Sequence, residues 1–254
     1  MSMTAVETIS EGIIHKDVKR TTFCESKKFE LTKLLKRVSL NFPKTGYYQG
    51  MNCIGGFLLK YSGSYKQSLT IFNYLMERLL IKYFSEKFKN AKQLFYVCER
   101  LFELYLPSFF QHLKKLNINA AEYLLQTHLT LFTTSLQYIG NFSLMANIFD
   151  LVIAEGWGGF FKVVIFFFKK FEKKIIKMKH EQTMIFLQRE IYESLVNIDL
   201  DSFKKDISKL TIPKNLMLAI EYQYVDTGAI VQNFWHDYYE KRRSTRKEAT
   251  IKKS

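Results

Sequence analysis

Cysteine, proline and glycine are all scarce in this chain, and each shortage removes a class of structure. There are three cysteines in 254 residues, at positions 24, 53 and 98. They are too few and too scattered for a disulfide framework, and the absence of a CxxC pair excludes a zinc ribbon or a thioredoxin-like centre. A reducing compartment is the expected setting. Three prolines and eleven glycines are too few turn-formers for a many-stranded β-sandwich or a low-complexity array, and they point to long helices. Acidic residues are also in short supply, 24 against 38 Lys plus Arg, for a net charge of +14. The opening MSMTAVETISEG lacks an apolar core, so no secretory signal is expected. Missing too are GxxxxGK[ST], HExxH and GxSxG, so neither a P-loop nucleotide site nor a familiar hydrolase centre is expected. His15, His112, His128, His180 and His236 are far apart, and no metal site is expected from them.

What is present fits a packed protein. Apolar residues make up 47% and charged residues 24%, with 23 Phe and 15 Tyr, a composition that excludes global disorder. Basic charge is concentrated in two places. Lys241 to Ser254 holds seven Lys and Arg against one acid, Glu248, and Phe167 to His180 reads FFKKFEKKIIKMKH. An excess of this kind favours nucleic acid, anionic lipid or an acidic protein face, and each cluster also fits plain solvated charge. The uncharged run Tyr123 to Phe149 is long enough to span a bilayer. Its many Gln, Thr, Ser and Asn side chains, and the break at Gly140-Asn141, instead mark two helices of a water-soluble core.

Helical periodicity recurs along the chain. Leu31, Leu34, Leu35, Val38 and Phe42 form one apolar stripe ended by Pro43, and Leu94, Val97, Cys98, Leu101, Phe102 and Tyr105 form another stopped by Pro107. Ser64 with Gln67, and Asn119 with Glu122, fit capping boxes. Asp199, Asp201 and Ser202 each fit a cap for DSFKKDISKL. The glycines of GWGGFF, from Gly156, fit a tight helix–helix turn. No sustained period-2 alternation is found. The fold class expected is all-α, about a dozen short to medium helices in one domain over 1–240, followed by a basic tail at 241–254.

Two segments carry chemistry. In Ile14-His15-Lys16-Asp17-Val18-Lys19-Arg20-Thr21, helical spacing lets the Asp17 carboxylate hold the Arg20 guanidinium. In Tyr47-Tyr48-Gln49-Gly50-Met51-Asn52, an amide side chain stands at the mouth of a helix beginning near Met51, beside a glycine that permits close backbone approach. Arginine plus glutamine suits phosphoryl transfer at another protein's site.

IxxDxxR followed by YxQGMN resembles the two catalytic fingers of the TBC-domain family, the GTPase-activating proteins for Rab GTPases. LPSFFQHLKKLNI, HLTLF (His128 to Phe132) and IFDLVIAEGWGGFFKVVI (Ile148 to Ile165) are similar to further motifs of that family, in the same order, over roughly residues 13 to 190. The resemblance implies an arginine finger at Arg20, oriented by Asp17 and anchored by Ile14. It implies a glutamine finger at Gln49, with Tyr47 packed beneath the finger loop, Gly50 letting the backbone pass close to the nucleotide, and Met51 and Asn52 completing the GTPase-facing motif. It implies a Rab-type GTPase as partner, carrying the GTP and Mg²⁺, so that this chain needs no cofactor of its own and takes no nucleic acid. The setting implied is cytoplasmic membrane traffic, with the basic tail touching an anionic membrane at endomembranes. A Rab-binding scaffold that leaves hydrolysis unchanged is the alternative. Family members carry helices upstream of the arginine motif, and with 13 residues before Ile14 the domain is expected to lack them. Thr127 and Phe149 stand where the family has Trp, and both read as core substitutions.

Overall fold

A computed structural model describes residues 3–22, 25–85, 90–137 and 140–225. Among them there are helices and no strand. The chain divides into two compact units, Met1–Ile212 and Pro213–Ser254. The boundary expected at Lys241 and the tail beyond it lie outside the described residues, as do Cys24 and His236.

The first unit begins with α1 (Met3–Arg20) and α2 (Lys28–Asn41). The α2 stripe is buried as its spacing requires, and the chain turns at Phe42, whose N–H bonds back to Val38 O at 3.1 Å, just before Pro43. Next comes α3 (Met51–Ser62), in which every residue from Met51 to Leu59 is buried. A helix apolar on all sides must lie between others, and α3 packs against α1, α2, α4 (Tyr65–Leu75), α8 (Ala120–Thr130) and α9 (Thr133–Leu136). The Ser64 capping box is not made. Ser64 sits at the N-cap of α4 without a side-chain bond to it; its carbonyl instead accepts from the hydroxyls of Ser62 (3.0 Å) and Ser68 (2.8 Å). Ser64 thus caps α4 through its carbonyl, which also accepts Ser68 N–H at 2.9 Å, and not through its side chain.

From α4 the helix continues through a π-helical stretch, Met76–Leu80, into α5 (Ile81–Phe84). Then follow α6 (Ala91–Tyr105), whose predicted stripe is buried except for the half-exposed Tyr105, and α7 (Pro107–Lys115) with proline in its first turn. At α8, Glu122 accepts the Asn119 N–H at 3.3 Å. The Gly140-Asn141 break holds: Gly140 takes φ +67°, and Asn141 caps α10 (Phe142–Glu155) by accepting Leu144 N–H at 2.9 Å. Gly156, at φ +64°, turns the chain into α11 (Trp157–Ile175), and a Lys162–Glu155 ion pair of 2.7 Å ties the two helices. The FFKKFEKK cluster belongs to α11, where Phe167 and Phe168 are buried and Lys169, Lys170, Lys173 and Lys174 are exposed. Then α12 (His180–Ile185) runs through a π stretch, Phe186–Glu190, into α13 (Ile191–Glu193). Asp199 caps α14 (Leu200–Lys209), accepting Ser202 N–H at 2.8 Å. The second unit contributes one described helix, α15 at 214–225. No described helix is long and apolar enough to cross a membrane.

Both tryptophan replacements are core positions. Phe149 is fully buried, its ring centroid 4.4 Å from that of Phe57. Thr127, also buried, is within hydrogen-bond reach of the Ser135 hydroxyl at 2.9 Å and the Tyr192 hydroxyl at 2.8 Å. His128 is a core histidine. Its Nδ1–H donates to Leu124 O at 2.8 Å, and its ring lies among Phe95, Trp157 and Phe160, with Nε2 buried and unbonded. Burial lowers its pKa from 6.5 to about 3. The unfolded chain therefore takes up a proton at this residue below about pH 6.5 while the folded one does not, so stability falls as pH drops from about 6.5 towards about 3. Relative to a His128→Leu variant, the wild-type chain should lose about 2 kcal/mol more stability between pH 7 and pH 5. Urea midpoints at the two pH values check this, and parallel losses in both proteins would refute it.

Candidate functional site

The last turn of α1 presents Asp17 and Arg20 on one face. Ile14, one turn earlier, is 1% exposed and fixes that face to the core. The carboxylate of Asp17 is buried while the Arg20 side chain is 65% exposed, and the two form an ion pair. The second carboxylate oxygen accepts the Tyr47 hydroxyl at 2.7 Å. A buried carboxylate engaged on both oxygens is a rigid anchor, so one end of the guanidinium is fixed and the rest faces solvent. The Asp17 hydrogen bond raises the Arg20 pKa, and burial together with Asp17 pushes the Tyr47 phenol well above its usual range. Arg20 is therefore a permanent cation and Tyr47 a permanent donor.

The loop before α3 carries Gln49. It begins with a turn in which Thr45 and Gly46 N–H both reach Phe42 O, at 3.0 and 2.8 Å. Gln49 is exposed, and none of the described residues bonds its amide. Its neighbours are held on both sides. Tyr48 is buried and donates its hydroxyl to Leu129 O at 3.2 Å. Gly50 adopts φ +114°, and a Cβ there would lie 2.8 Å from Thr130 Cγ2. Glycine is thus required twice, by the backbone angle and by the approach to α8. The near neighbour that demands it is Thr130, a contact within this chain. Met51 is fully buried as the first residue of α3. Asn52 is buried too, and its Oδ1 accepts the Gly50 N–H at 3.1 Å.

The end of α8 that receives this loop is unusual. Leu131 and Phe132, consecutive and both buried, take φ of +47° and +68°. Left-handed backbone costs about 1–2 kcal/mol per residue for side chains other than glycine. Packing of these two side chains in the core offsets it. The sharp end to α8 leaves the Leu129 carbonyl available to Tyr48.

Arg20, Gln49, Gly50 and Asn52 line a cleft of about 990 Å³ together with Leu125, Gln126 and Leu129 of α8, and with Gln188. Among the described residues no group of three His, Cys, Asp or Glu is placed to hold a metal ion. Of the residues singled out in the sequence as site candidates, Asp17, Arg20, Gln49, Gly50 and Asn52 line the cleft, with Arg20 and Gln49 exposed, while Ile14, Tyr47 and Met51 are not among its lining residues. Three residues inside the segments singled out in the sequence, Thr21, Tyr48 and Thr130, had no role that the sequence made legible. Thr21 accepts from Asn52 Nδ2 at 2.9 Å across 31 residues, and Tyr48 reaches Leu129 across 81. A one-dimensional pattern carries no trace of such contacts.

Fold and site together describe a helical domain with an exposed arginine and an exposed glutamine lining one cleft. The chain belongs to the Rab-GTPase-TBC domain family, whose model matches residues 3–176. It is 29% identical over 188 residues to the GTPase-activating protein GYP5 of Saccharomyces cerevisiae, covering 73% of this chain and 21% of that protein. It is 24% identical over 163 residues to the GTPase activating protein Gyp51 of Schizosaccharomyces pombe, covering 64% of this chain and 15% of that one. The chain thus spans about a fifth of the length of these curated relatives. Among solved structures it resembles the Ypt/Rab-GAP domain of Gyp1p, with a TM-score of 0.59 and 13% identity over 86% of this chain and 74% of that one. It also resembles the Chlamydomonas flagellar RabGAP TBC domain, with a TM-score of 0.58 and 18% identity over 74% and 67% of the two chains. At these identities the structural likeness shows the common fold.

Proposed function

We propose that this chain activates GTP hydrolysis on a Rab-type GTPase, with Arg20 and Gln49 supplied in trans. The observation that carries the reading is that these two exposed side chains line one cleft while their neighbours are locked by buried hydrogen bonds. In the transition state of phosphoryl transfer, negative charge spreads over the γ-phosphoryl oxygens, and a pre-oriented guanidinium fork stabilises it. Asp17 holds one face of that fork and leaves the other for phosphate. Gln49 positions the attacking water in line. GTP and Mg²⁺ belong to the partner, and this chain carries no cofactor.

The test is single-turnover GTP hydrolysis on a panel of Rab proteins, with Arg20→Ala and Gln49→Ala alongside. Tight Rab binding with unchanged hydrolysis would replace activation by a scaffold role.

The proposal extends to place: Rab-directed action in the cytoplasm at endomembranes, with the basic segment after Glu240 held near an anionic leaflet. Polybasic segments gain about 1 kcal/mol per Lys or Arg at such a surface. A chain ending at Glu240 should keep its hydrolysis rate in solution but co-sediment less with phosphatidylserine vesicles. Equal sedimentation of both proteins at low salt would overturn the membrane role.

A further inference from the structure

We infer that Thr21 is a positioning residue that sets the arginine finger in register with the glutamine finger; this rests on the function proposed above. Thr21 follows Arg20 directly and is 1% exposed. Its hydroxyl donates to Asp17 O at 2.9 Å, closing the last turn of α1, and accepts from Asn52 Nδ2 at 2.9 Å. The same Asn52 amide receives the Gly50 N–H on its Oδ1 at 3.1 Å. A single side chain therefore connects the residue after Arg20 to the residue after Gln49.

The amide has one orientation. Reversed, its NH₂ would face the Gly50 N–H, donor against donor, and its oxygen would face Thr21, whose proton is already given to Asp17 O. Tyr47 closes a second route between the two segments, since its hydroxyl donates to Asp17 Oδ2 and lies 3.3 Å from Asn52 Oδ1. All of these groups are buried or half-buried, so none of the bonds exchanges freely with water. A side chain at the end of a helix and one on a loop 29 positions later would otherwise drift independently. A misplacement of about 1 Å at a reacting centre can cost a hundredfold in rate. Thr21 is buried and is not among the residues lining the cleft; it acts through Asn52 and Asp17.

The test uses Thr21→Val, which keeps the shape and removes the hydroxyl, and Thr21→Ser, which keeps the hydroxyl. Thr21→Val should lower the single-turnover rate at saturating activator by roughly tenfold and leave the half-saturating concentration within about twofold. Thr21→Ser should restore most of the rate. In an Arg20→Ala background the further effect of Thr21→Val should shrink to about twofold or less, because no arginine is left to register. An equal loss in both backgrounds would mean a general structural role and overturn the inference. A second readout needs no GTPase: amide exchange of Gly50, measured by NMR, should quicken in Thr21→Val and not in Thr21→Ser. Unchanged Gly50 exchange in Thr21→Val would overturn the link. A chain inert on every Rab would refute the underlying function, while faster Gly50 exchange would still uphold the link itself.

Discussion

Arg20→Ala should lower the acceleration of Rab GTP hydrolysis by about 10³–10⁵, the range that an arginine finger contributes to phosphoryl transfer. The size of the effect follows from the setting of the side chain. Asp17 is buried, has both oxygens engaged and holds Arg20 at the mouth of the cleft, so the charge is oriented before the GTPase arrives. Arg20→Lys should recover little, because an ammonium is a point charge and cannot bond Asp17 and phosphate through separate nitrogens. Gln49→Ala should cost about 10²–10³, the scale for removal of one pre-oriented polar group from a reacting centre. Binding of the GTP-loaded partner should weaken far less than turnover, since the role proposed for both groups is on the transition state. Single-turnover hydrolysis read against activator concentration separates the two quantities. Acceleration that survives both substitutions would remove the fingers from the mechanism.

Gly159→Ala should be among the most damaging changes of a single methyl group. A Cβ at this position would stand 2.5 Å from the Leu151 carbonyl oxygen and 3.0 Å from its carbon. The obstacle is the backbone of α10, which no rotamer change can move aside. Gly159 lies in the first turn of α11, directly after the Gly156 turn, where its backbone approaches Leu151 of α10. Admitting the methyl means separating α10 from α11, and with them the buried Trp157, Phe160 and Phe161. Overpacking of this kind costs about 3 kcal/mol, which in a chain of this size lowers Tm by roughly 6–12 °C. Gly12→Ala is the control. It lies within α1, a Cβ there meets nothing within 4 Å, and alanine should stabilise that helix by about 0.5–1 kcal/mol. Thermal melts of the two variants should therefore move in opposite directions, and a Gly159→Ala protein melting with the wild type would refute the close-approach argument.

Periodicity and chain breakers made much of the fold legible. The α2 stripe from Leu31 to Val38, the stop before Pro43, the α6 stripe before Pro107, the break at Gly140 and the turn at Gly156 all rest on local rules, burial of one helix face and the backbone demands of proline and glycine. The Asp17–Arg20 pair was legible for the same reason, since a spacing of three on a helix brings the two side chains together. Ser64 shows where a local rule yields. The residue stands at the N-cap as the motif requires, but its side-chain bond is not formed, and its carbonyl instead gathers the Ser62 and Ser68 hydroxyls.

The sequence by itself therefore determined the helical class, most helix ends and the Asp17–Arg20 pair. Only the tertiary structure decided what holds them. It set Tyr47 on Asp17, Asn52 on Thr21, Tyr48 on Leu129 and Gly50 against Thr130. It also placed the left-handed pair Leu131 and Phe132 where α8 must end sharply to receive the loop. These contacts join residues roughly 30 to 80 positions apart. Their energies depend on the packing of whole helices rather than on any short-range pattern along the chain.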